Sequence, residues 1–351
     1  MATRIITEAE VEKLLPMGEC VEVMAGALGA LARDDAIQPL RTMVWLPDRS
    51  GLLGLMPGYL GSPRALGLKV VTVFPGNHGT EYDSHQGAVM LFDVGNGSTL
   101  AVIDASSITA IRTAAVSGVA TRLLAREDAG DLAILGSGVQ ARTHLEAMRA
   151  VRRLRRVRVW SRTHGNARRF AERHSEASGL AIEAVPAARE AVRGADLICT
   201  TTSARDPVLL GEWIAPGAHV NAVGACFPIA RELDTAAVAR ARLFVDRRES
   251  ALSEAGEVVI PIREGAFGPD HIAGELGELL IGRMPGRQTA DQVTLFESLG
   301  LAIEDLAAAH HIYHRALETD TGVAVELGGR RRAEPPEPAG KRSLGSSSVT
   351  S

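Results

Sequence analysis

The spacing of apolar residues divides the chain into regions of different predicted structure. Thr7 and Glu10 have the spacing of a capping box, which predicts a helix that runs to about Leu15 and ends at Pro16. A second helix is predicted over residues 20–32. Between residues 40 and 104, apolar runs of strand length alternate with turns, which predicts an antiparallel sheet. The runs are 42–46, 52–56, 68–74, 88–92 and 100–103.

A different alternation follows a predicted helix over residues 107–126. Short apolar runs at 132–135, 156–160, 197–200, 219–223 and 243–245 predict strands, and helical segments separate them. The last long helix is predicted over 295–317, and the Arg, Pro, Gly and Ser composition of 329–351 predicts a disordered tail. The predicted fold class is α/β, with a doubly wound parallel sheet of the Rossmann type beside a smaller α+β domain.

Gly136-Ser137-Gly138 interrupts the first of these strands just before a helix predicted over 141–150. With Ala141 it completes the pattern G-x-G-x-x-A, which is typical of a dinucleotide-binding turn. The glycines allow the backbone to approach a pyrophosphate, and the helix N-terminus stabilises its charge. The turn therefore predicts a nicotinamide dinucleotide site.

The end of the second strand of this region bears on the choice of cofactor. NAD-binding sheets place an Asp or Glu about 20 residues after the first glycine, where it accepts a hydrogen bond from the ribose. Here the strand ends in Ser161-Arg162-Thr163. A guanidinium and two hydroxyls suit a 2′-phosphate, so NADP(H) is expected, with NAD(H) less favoured. The alternative is that Arg162 is one of several solvent-facing arginines between residues 152 and 169.

Composition narrows the class of protein. The 351 residues are 46% hydrophobic and 23% charged with a net charge of −4, as in a soluble globular protein that has no nucleic-acid or membrane partner. Cys20, Cys199 and Cys226 have no metal-binding spacing, and no signal peptide precedes them, so a cytoplasmic location is expected. His310 and His314 share a helix face without the carboxylate pattern of a metal site, so no metal is expected.

Three cations stand in apolar surroundings: Arg41, Lys69 and Arg112. A charge in such a run is rarely buried unless it is paired. The sequence leaves two alternatives open, a structural ion pair with one of the 42 acidic residues or the binding of an anionic ligand.

Several blocks together resemble the ornithine cyclodeaminase/mu-crystallin family over about residues 7–318. They are Lys69, 108–115, 136–141, 220–224, 231–234 and 295–300. The resemblance implies a homodimer with its active site in the cleft between two domains. Residues 1–118 with 304–328 would form the substrate-binding and dimerisation domain, and 119–303 the NADP(H)-binding domain.

The resemblance also implies roles for single residues. Lys69 and Arg112 would be catalytic, and with Arg41 they would hold the substrate carboxylate beside Leu299. With the glycine turn and the strand end, it gives a set of cofactor contacts. That set is Ser84, His85, Arg112, Gly136, Gly138, Val139, Gln140, Ser161, Arg162, Thr163, Thr202, Val223, Cys226 and Ser298.

One position separates the subclasses of this family. Cyclodeaminases resemble Gly-Gly-Asp-Cys-Pro after the 220–223 strand, where the Asp is the acid/base of deamination. This chain has Cys226 at that position, and a thiol with a pKa of about 8.5 is a poor substitute for a carboxylate. Ala230 replaces the lysine expected shortly afterwards, while 84–86 and 161–163 resemble the mu-crystallin branch, which includes NADPH-dependent ketimine reductases.

The expected activity is NADPH-dependent reduction of a small cyclic ketimine carboxylate, such as Δ1-pyrroline-2-carboxylate or Δ1-piperideine-2-carboxylate, to a cyclic amino acid. An amino-acid cyclodeaminase or deaminating dehydrogenase for ornithine, lysine or alanine is the first alternative. A protein that binds NADPH and a small ligand without turnover is the second.

Overall fold

A computed structural model describes residues 2–77 and 79–329, so the tail predicted to be disordered lies almost entirely outside the described residues. Within them, the chain forms two eight-stranded sheets with helices between and around them. In chain order the strands and α-helices are β1 (Thr3–Ile6), α1 (Glu8–Leu14), α2 (Met17–Ala32), β2 (Ala36–Ile37), β3 (Thr42–Trp45), β4 (Leu52–Leu60), β5 (Ala65–Val73), β6 (His85–Phe92), β7 (Thr99–Asp104), α3 (Ala105–Leu124), β8 (Asp131–Leu135), α4 (Val139–Val151), β9 (Arg156–Trp160), α5 (His164–Ser178), β10 (Ile182–Ala184), α6 (Ala188–Val192), β11 (Leu197–Thr200), β12 (His219–Ala222), α7 (Thr235–Arg240), β13 (Arg242–Val245), α8 (Arg248–Glu254), α9 (Gly256–Arg263), β14 (Ile272–Glu275), α10 (Leu276–Leu280), β15 (Thr294–Glu297), α11 (Ala302–Glu318) and β16 (Val323–Val325).

The first sheet is mixed. Its order is β16-β1-β7-β6-β5-β4-β2, and β3 pairs with β4. Strands β3 to β7 pair antiparallel, which confirms the antiparallel sheet predicted for residues 40–104. Strand β1 lies outside that range and pairs parallel with β7, which makes the whole sheet mixed. The four residues of β1 are too few to show a periodicity, so the sequence pattern does not reveal this strand.

The second sheet is entirely parallel, in the order β10-β9-β8-β11-β12-β15-β13-β14, which confirms the predicted α/β class. The helix predicted to begin at residue 295 was wrong at its start. Residues Thr294–Glu297 form β15 between β12 and β13, and α11 begins only at Ala302. A short apolar run fits a buried strand as well as a helix, so periodicity alone could not separate the two.

Helix α3 lies between the two sheets. Asp104 caps it by accepting a hydrogen bond from the Ser107 amide, at 2.8 Å. It contacts α2, α4 and α11 as well as strands of both sheets, and most of its residues are buried. Arg112 is one of these buried residues, so its charge is placed inside the protein.

Helices α1 and α2 meet at Pro16, as predicted, although α2 begins at Met17 rather than at residue 20. Across residues 2–77 and 79–329, no single helix has the length and apolar composition to cross a membrane, and α1 with α2 would meet that test only as a pair bent by 82°.

Helix α11 covers one face of the first sheet, where it contacts β4 and β5. Leu306 is fully buried in this contact, and it belongs to the same apolar cluster as Phe244 and Phe296 of the second sheet. The two halves of the chain thus share a core.

We expect Leu306→Ala to lower the free energy of unfolding by about 2–5 kcal/mol, because a fully buried leucine is replaced by a cavity. Leu317→Ala makes the same change on the same helix at a side chain that is 46% exposed, and it should change stability by no more than about 0.5 kcal/mol. Urea titration of both variants measures the difference. Equal losses would contradict the packing described for α11.

Candidate active site

The glycine turn lies at the carboxyl end of β8, where a parallel sheet binds its ligands. Gly136 has φ +124°, and a Cβ there would overlap Thr201, so only glycine fits. At Gly138 a Cβ would meet nothing within 4 Å among the described residues, and Val139, the first residue of α4, is 54% exposed. The first amides of α4 have no partner within the helix, so this open turn fits a pyrophosphate.

The end of β9 is tied to this turn. The Ser137 hydroxyl donates to the Ser161 hydroxyl at 3.0 Å, and Arg162 and Thr163 are exposed next to it. The structure therefore brings the predicted 161–163 strand end to the glycine turn.

A cluster of buried charges lies between α3, α11 and the first sheet. Lys69 Nζ on β5 is 2.6 Å from Asp305 Oδ2, and Arg112 Nε donates to Asp305 Oδ1 at 2.8 Å. Arg112 Nη1 donates to Glu304 Oε2 at 3.0 Å. All four side chains are at least 95% buried. Gly300, at φ +79°, faces this cluster, and a Cβ there would overlap the Arg112 guanidinium.

The pKa values of this cluster are shifted by burial and by the neighbouring charges. Burial raises the pKa of Asp305, but the charges of Arg112 and Lys69 outweigh it and hold that pKa below the ordinary value. Burial lowers the pKa of Lys69 to about 8, in spite of Asp305, and raises the pKa of Glu304 to about 7. The two cations therefore stay paired with Asp305, while Glu304 is more easily protonated than an exposed glutamate.

Arg41 occupies a different position from Lys69 and Arg112. Its Nε is 2.9 Å from Glu254 Oε2, and its Nη2 donates to the carbonyls of Leu299 and Gly300 at 3.0 and 3.1 Å. The amides of Leu299 and Gly300 donate to Asp246 Oδ2 at 2.8 and 2.7 Å. The segment after β15 is thus held from both sides, which places Leu299 between Arg41 and Asp246.

All three cations are thus in ion pairs, which is one of the two alternatives that the sequence left open. The pairs lie beside the loops at the carboxyl ends of the second sheet. Arg41 and Arg112 both contact the 299–300 segment, which follows β15. Anion binding by these residues stays a prediction.

The other predicted contacts lie at strand ends. Val223 and Ser298 are buried after β12 and β15, and Ser84 and His85 stand at the start of β6 with Ser84 Oγ 3.1 Å from His85 Nδ1. Ser106 on α3 donates to the His85 carbonyl at 2.8 Å. Burial raises the pKa of the Cys226 thiol, which is therefore protonated at neutral pH.

Sequence reasoning missed six buried carboxyl groups at or beside this edge: Glu232, Asp246, Glu257, Glu297, Glu304 and Asp305. A signal for two of them was present, because Glu304 and Asp305 interrupt the apolar run 301–309 just as the three cations interrupt theirs. Applied to acids, the same rule would have marked Glu304 and Asp305 as charges that need a buried partner, without identifying that partner.

The fold is similar to that of solved enzyme structures. A structure of Thermococcus litoralis Δ1-pyrroline-2-carboxylate reductase in complex with NADH and L-proline has a TM-score of 0.90 and 40% identity, covering 92% of this chain and 100% of that one. An archaeal alanine dehydrogenase dimer with bound NAD has a TM-score of 0.88 and 33% identity, covering 93% and 100%.

Sequence comparisons identify the family. Ketimine reductase mu-crystallin of Mus musculus is 46% identical over 277 residues, which are 79% of this chain and 84% of that protein. The model of the ornithine cyclodeaminase/mu-crystallin family matches residues 1–320. Both findings confirm the predicted resemblance, and the chain belongs to the ornithine cyclodeaminase/mu-crystallin family.

Proposed function

We propose that this protein is an NADPH-dependent reductase of small cyclic ketimine carboxylates, which it converts to cyclic amino acids such as proline or pipecolate. The observation that carries the proposal is the buried pair of cations, Lys69 and Arg112, which share Asp305 near the dinucleotide cleft. The two reductases to which the chain is similar support the same reaction class.

The substrate carboxylate would bind to Lys69 and Arg112, two buried cations that share the single carboxylate of Asp305. This contact would hold the C=N carbon against the cofactor, and such orientation contributes several kcal/mol to catalysis. NADPH supplies a hydride when it is bound. Lys69 would hold a proton at Nζ near the imine nitrogen, so that hydride at carbon and proton at nitrogen complete the amine.

NADP(H) is preferred over NAD(H) in this proposal because Arg162 and Thr163 are exposed beside the glycine turn. The other predicted cofactor contacts would line the cleft at the strand ends. Cys226 would contact the cofactor without acting as an acid, since burial raises the pKa of its thiol and makes it a weak proton donor.

A homodimer in the cytoplasm, divided into domains 1–118 with 304–328 and 119–303, completes the proposal. Ile37, Val44 and Trp45 on β2 and β3 are large apolar side chains that are between 38% and 62% exposed. A second copy of the chain would cover them, as apolar patches of this kind mark interfaces. The proposed cytoplasmic location is supported by the three cysteines of the chain, which are free thiols, as in proteins of a reducing compartment.

A deaminating amino-acid dehydrogenase is the second candidate, because the archaeal alanine dehydrogenase has nearly the same fold. A panel of substrates separates the candidates. We expect NADPH oxidation with both cyclic ketimine carboxylates and none with pyruvate and ammonia.

Lys69→Met should lower kcat/KM for the imine by about 100-fold, because a substrate bound out of position reacts that much more slowly. Arg122→Met, at a surface ion pair of α3, should leave it unchanged. Turnover of pyruvate with ammonia, or tight NADPH binding without any turnover, would contradict the proposal.

The pKa of Lys69 predicts a pH dependence. The ammonium is charged below a pKa of about 8 and neutral above it, so kcat/KM for the imine should fall as the pH rises through about 8. Lys69→Arg keeps its charge to higher pH, and the fall should move upward in this variant. The substrate ionises alike with both enzymes. An unchanged fall in Lys69→Arg would show that another group titrates.

Arg162→Ala should lower kcat/KM for NADPH by about 10- to 100-fold, which is the value of a charge-assisted hydrogen bond to phosphate. Turnover with NADH should change little, because NADH has no 2′-phosphate. Arg173→Ala, at an exposed arginine of the adjacent helix α5, serves as the control. Equal losses with both cofactors would place Arg162 away from the 2′-phosphate.

A further inference from the structure

Glu232 is a fully buried carboxylate that takes no part in the reaction proposed above. It lies between β12 and α7, and its two oxygens accept hydrogen bonds from two separate loops. Oε1 accepts from the Thr202 amide and hydroxyl, both at 2.6 Å, and Oε2 accepts from the Gly224 amide at 2.7 Å.

These two loops follow neighbouring strands of the parallel sheet. Strands β11 and β12 pair up to Thr200 and Ala222, and the Val223 amide donates to the Thr200 carbonyl at 3.1 Å. Beyond that bond the two strands separate. The amides of Thr202 and Gly224 then donate to the same carboxylate, which joins the loops where the ladder ends.

The backbone of Glu232 is held as firmly as its side chain. Its carbonyl accepts from the amides of Val208 and Leu209 at 2.7 and 3.0 Å, and its amide donates to Glu257 Oε1 at 2.7 Å. Gly224 allows the close approach, because a Cβ there would overlap the Thr202 carbonyl and the Glu232 carboxyl group.

We infer that Glu232 is a positioning residue that sets the spacing of the 202 and 223–226 loops for cofactor binding. The inference rests on the proposed function, which places Thr202, Val223 and Cys226 against the dinucleotide. Glu232 would touch neither the cofactor nor the substrate. It would act through the two loops. Replacing one of its two acceptor oxygens with a donor should weaken the binding of the cofactor.

An amide cannot replace this carboxylate. Both oxygens accept, so a glutamine would turn its NH₂ group toward either the Gly224 amide or the Thr202 donors, and two donors would face each other. One loop would then lose its anchor while the volume of the side chain stays the same.

Glu257 provides a matched control because it is equally buried and is the next carboxyl group in the chain of contacts. One of its oxygens accepts from the Glu232 amide, and the other has no partner among the described residues. Burial raises the pKa of Glu257 to about 8, so it is neutral at pH 7. Glu257→Gln keeps that neutral state and the acceptor that Glu232 uses.

The test compares full-length wild type, Glu232→Gln and Glu257→Gln at pH 7, using NADPH as the probe. We expect Glu232→Gln to raise the Kd for NADPH about tenfold, measured by the fluorescence of the bound cofactor, while kcat at saturating NADPH changes less than about threefold. Glu257→Gln should leave both values unchanged. A structural loss alone would lower the melting temperature without this split between binding and turnover.

Glu232→Asp gives a second measurement should the glutamine variant not fold. It keeps the charge on a shorter side chain, and an intermediate rise in Kd is expected. An unchanged Kd in Glu232→Asp or in folded Glu232→Gln, or an equal rise in Glu257→Gln, would overturn the inference. Wild type that binds no NADPH would instead refute the proposed function on which the inference rests.

Discussion

Lys69 and Arg112 share the carboxylate of Asp305 inside the protein, and Glu304 completes the cluster. Charges are costly to bury, and the loss of one partner from such a cluster costs about 3–5 kcal/mol because it leaves the other unpaired. The partners come from β5, α3 and the start of α11, which are far apart in the sequence. The same contact thus fixes three elements and places two buried cations next to the carboxyl ends of the second sheet.

At two places along the carboxyl edge of that sheet, a buried carboxylate accepts hydrogen bonds from loop amides. Asp246 accepts the amides of Leu299 and Gly300 after β15, and Glu232 accepts those of Thr202 and Gly224 after β11 and β12. In each case a buried carboxylate replaces the ladder where the strands end. Loops that would otherwise be free are given fixed positions, which a site for a dinucleotide and a small acid requires.

The sequence was sufficient for features that depend on local chemistry. The glycine turn, the strand end at Ser161 and the buried setting of Arg112 could each be predicted from adjacent residues. Features that depend on long-range pairing could not. Strand β1 is short, and β15 has an apolar run that suits a helix equally well. The partners of the cations became known only when α11 was placed beside β5 and α3, since no local rule joins Lys69 to Asp305.

The proposed reaction depends most on Lys69 and Arg112 holding the substrate carboxylate. A crystal structure of the protein with NADP⁺ and L-proline would test this contact directly. We expect the proline carboxylate to lie within hydrogen-bond distance of Lys69 Nζ and the Arg112 guanidinium, with its α-carbon facing the nicotinamide. A carboxylate bound elsewhere in the cleft, with both cations still engaged only by Asp305 and Glu304, would contradict it.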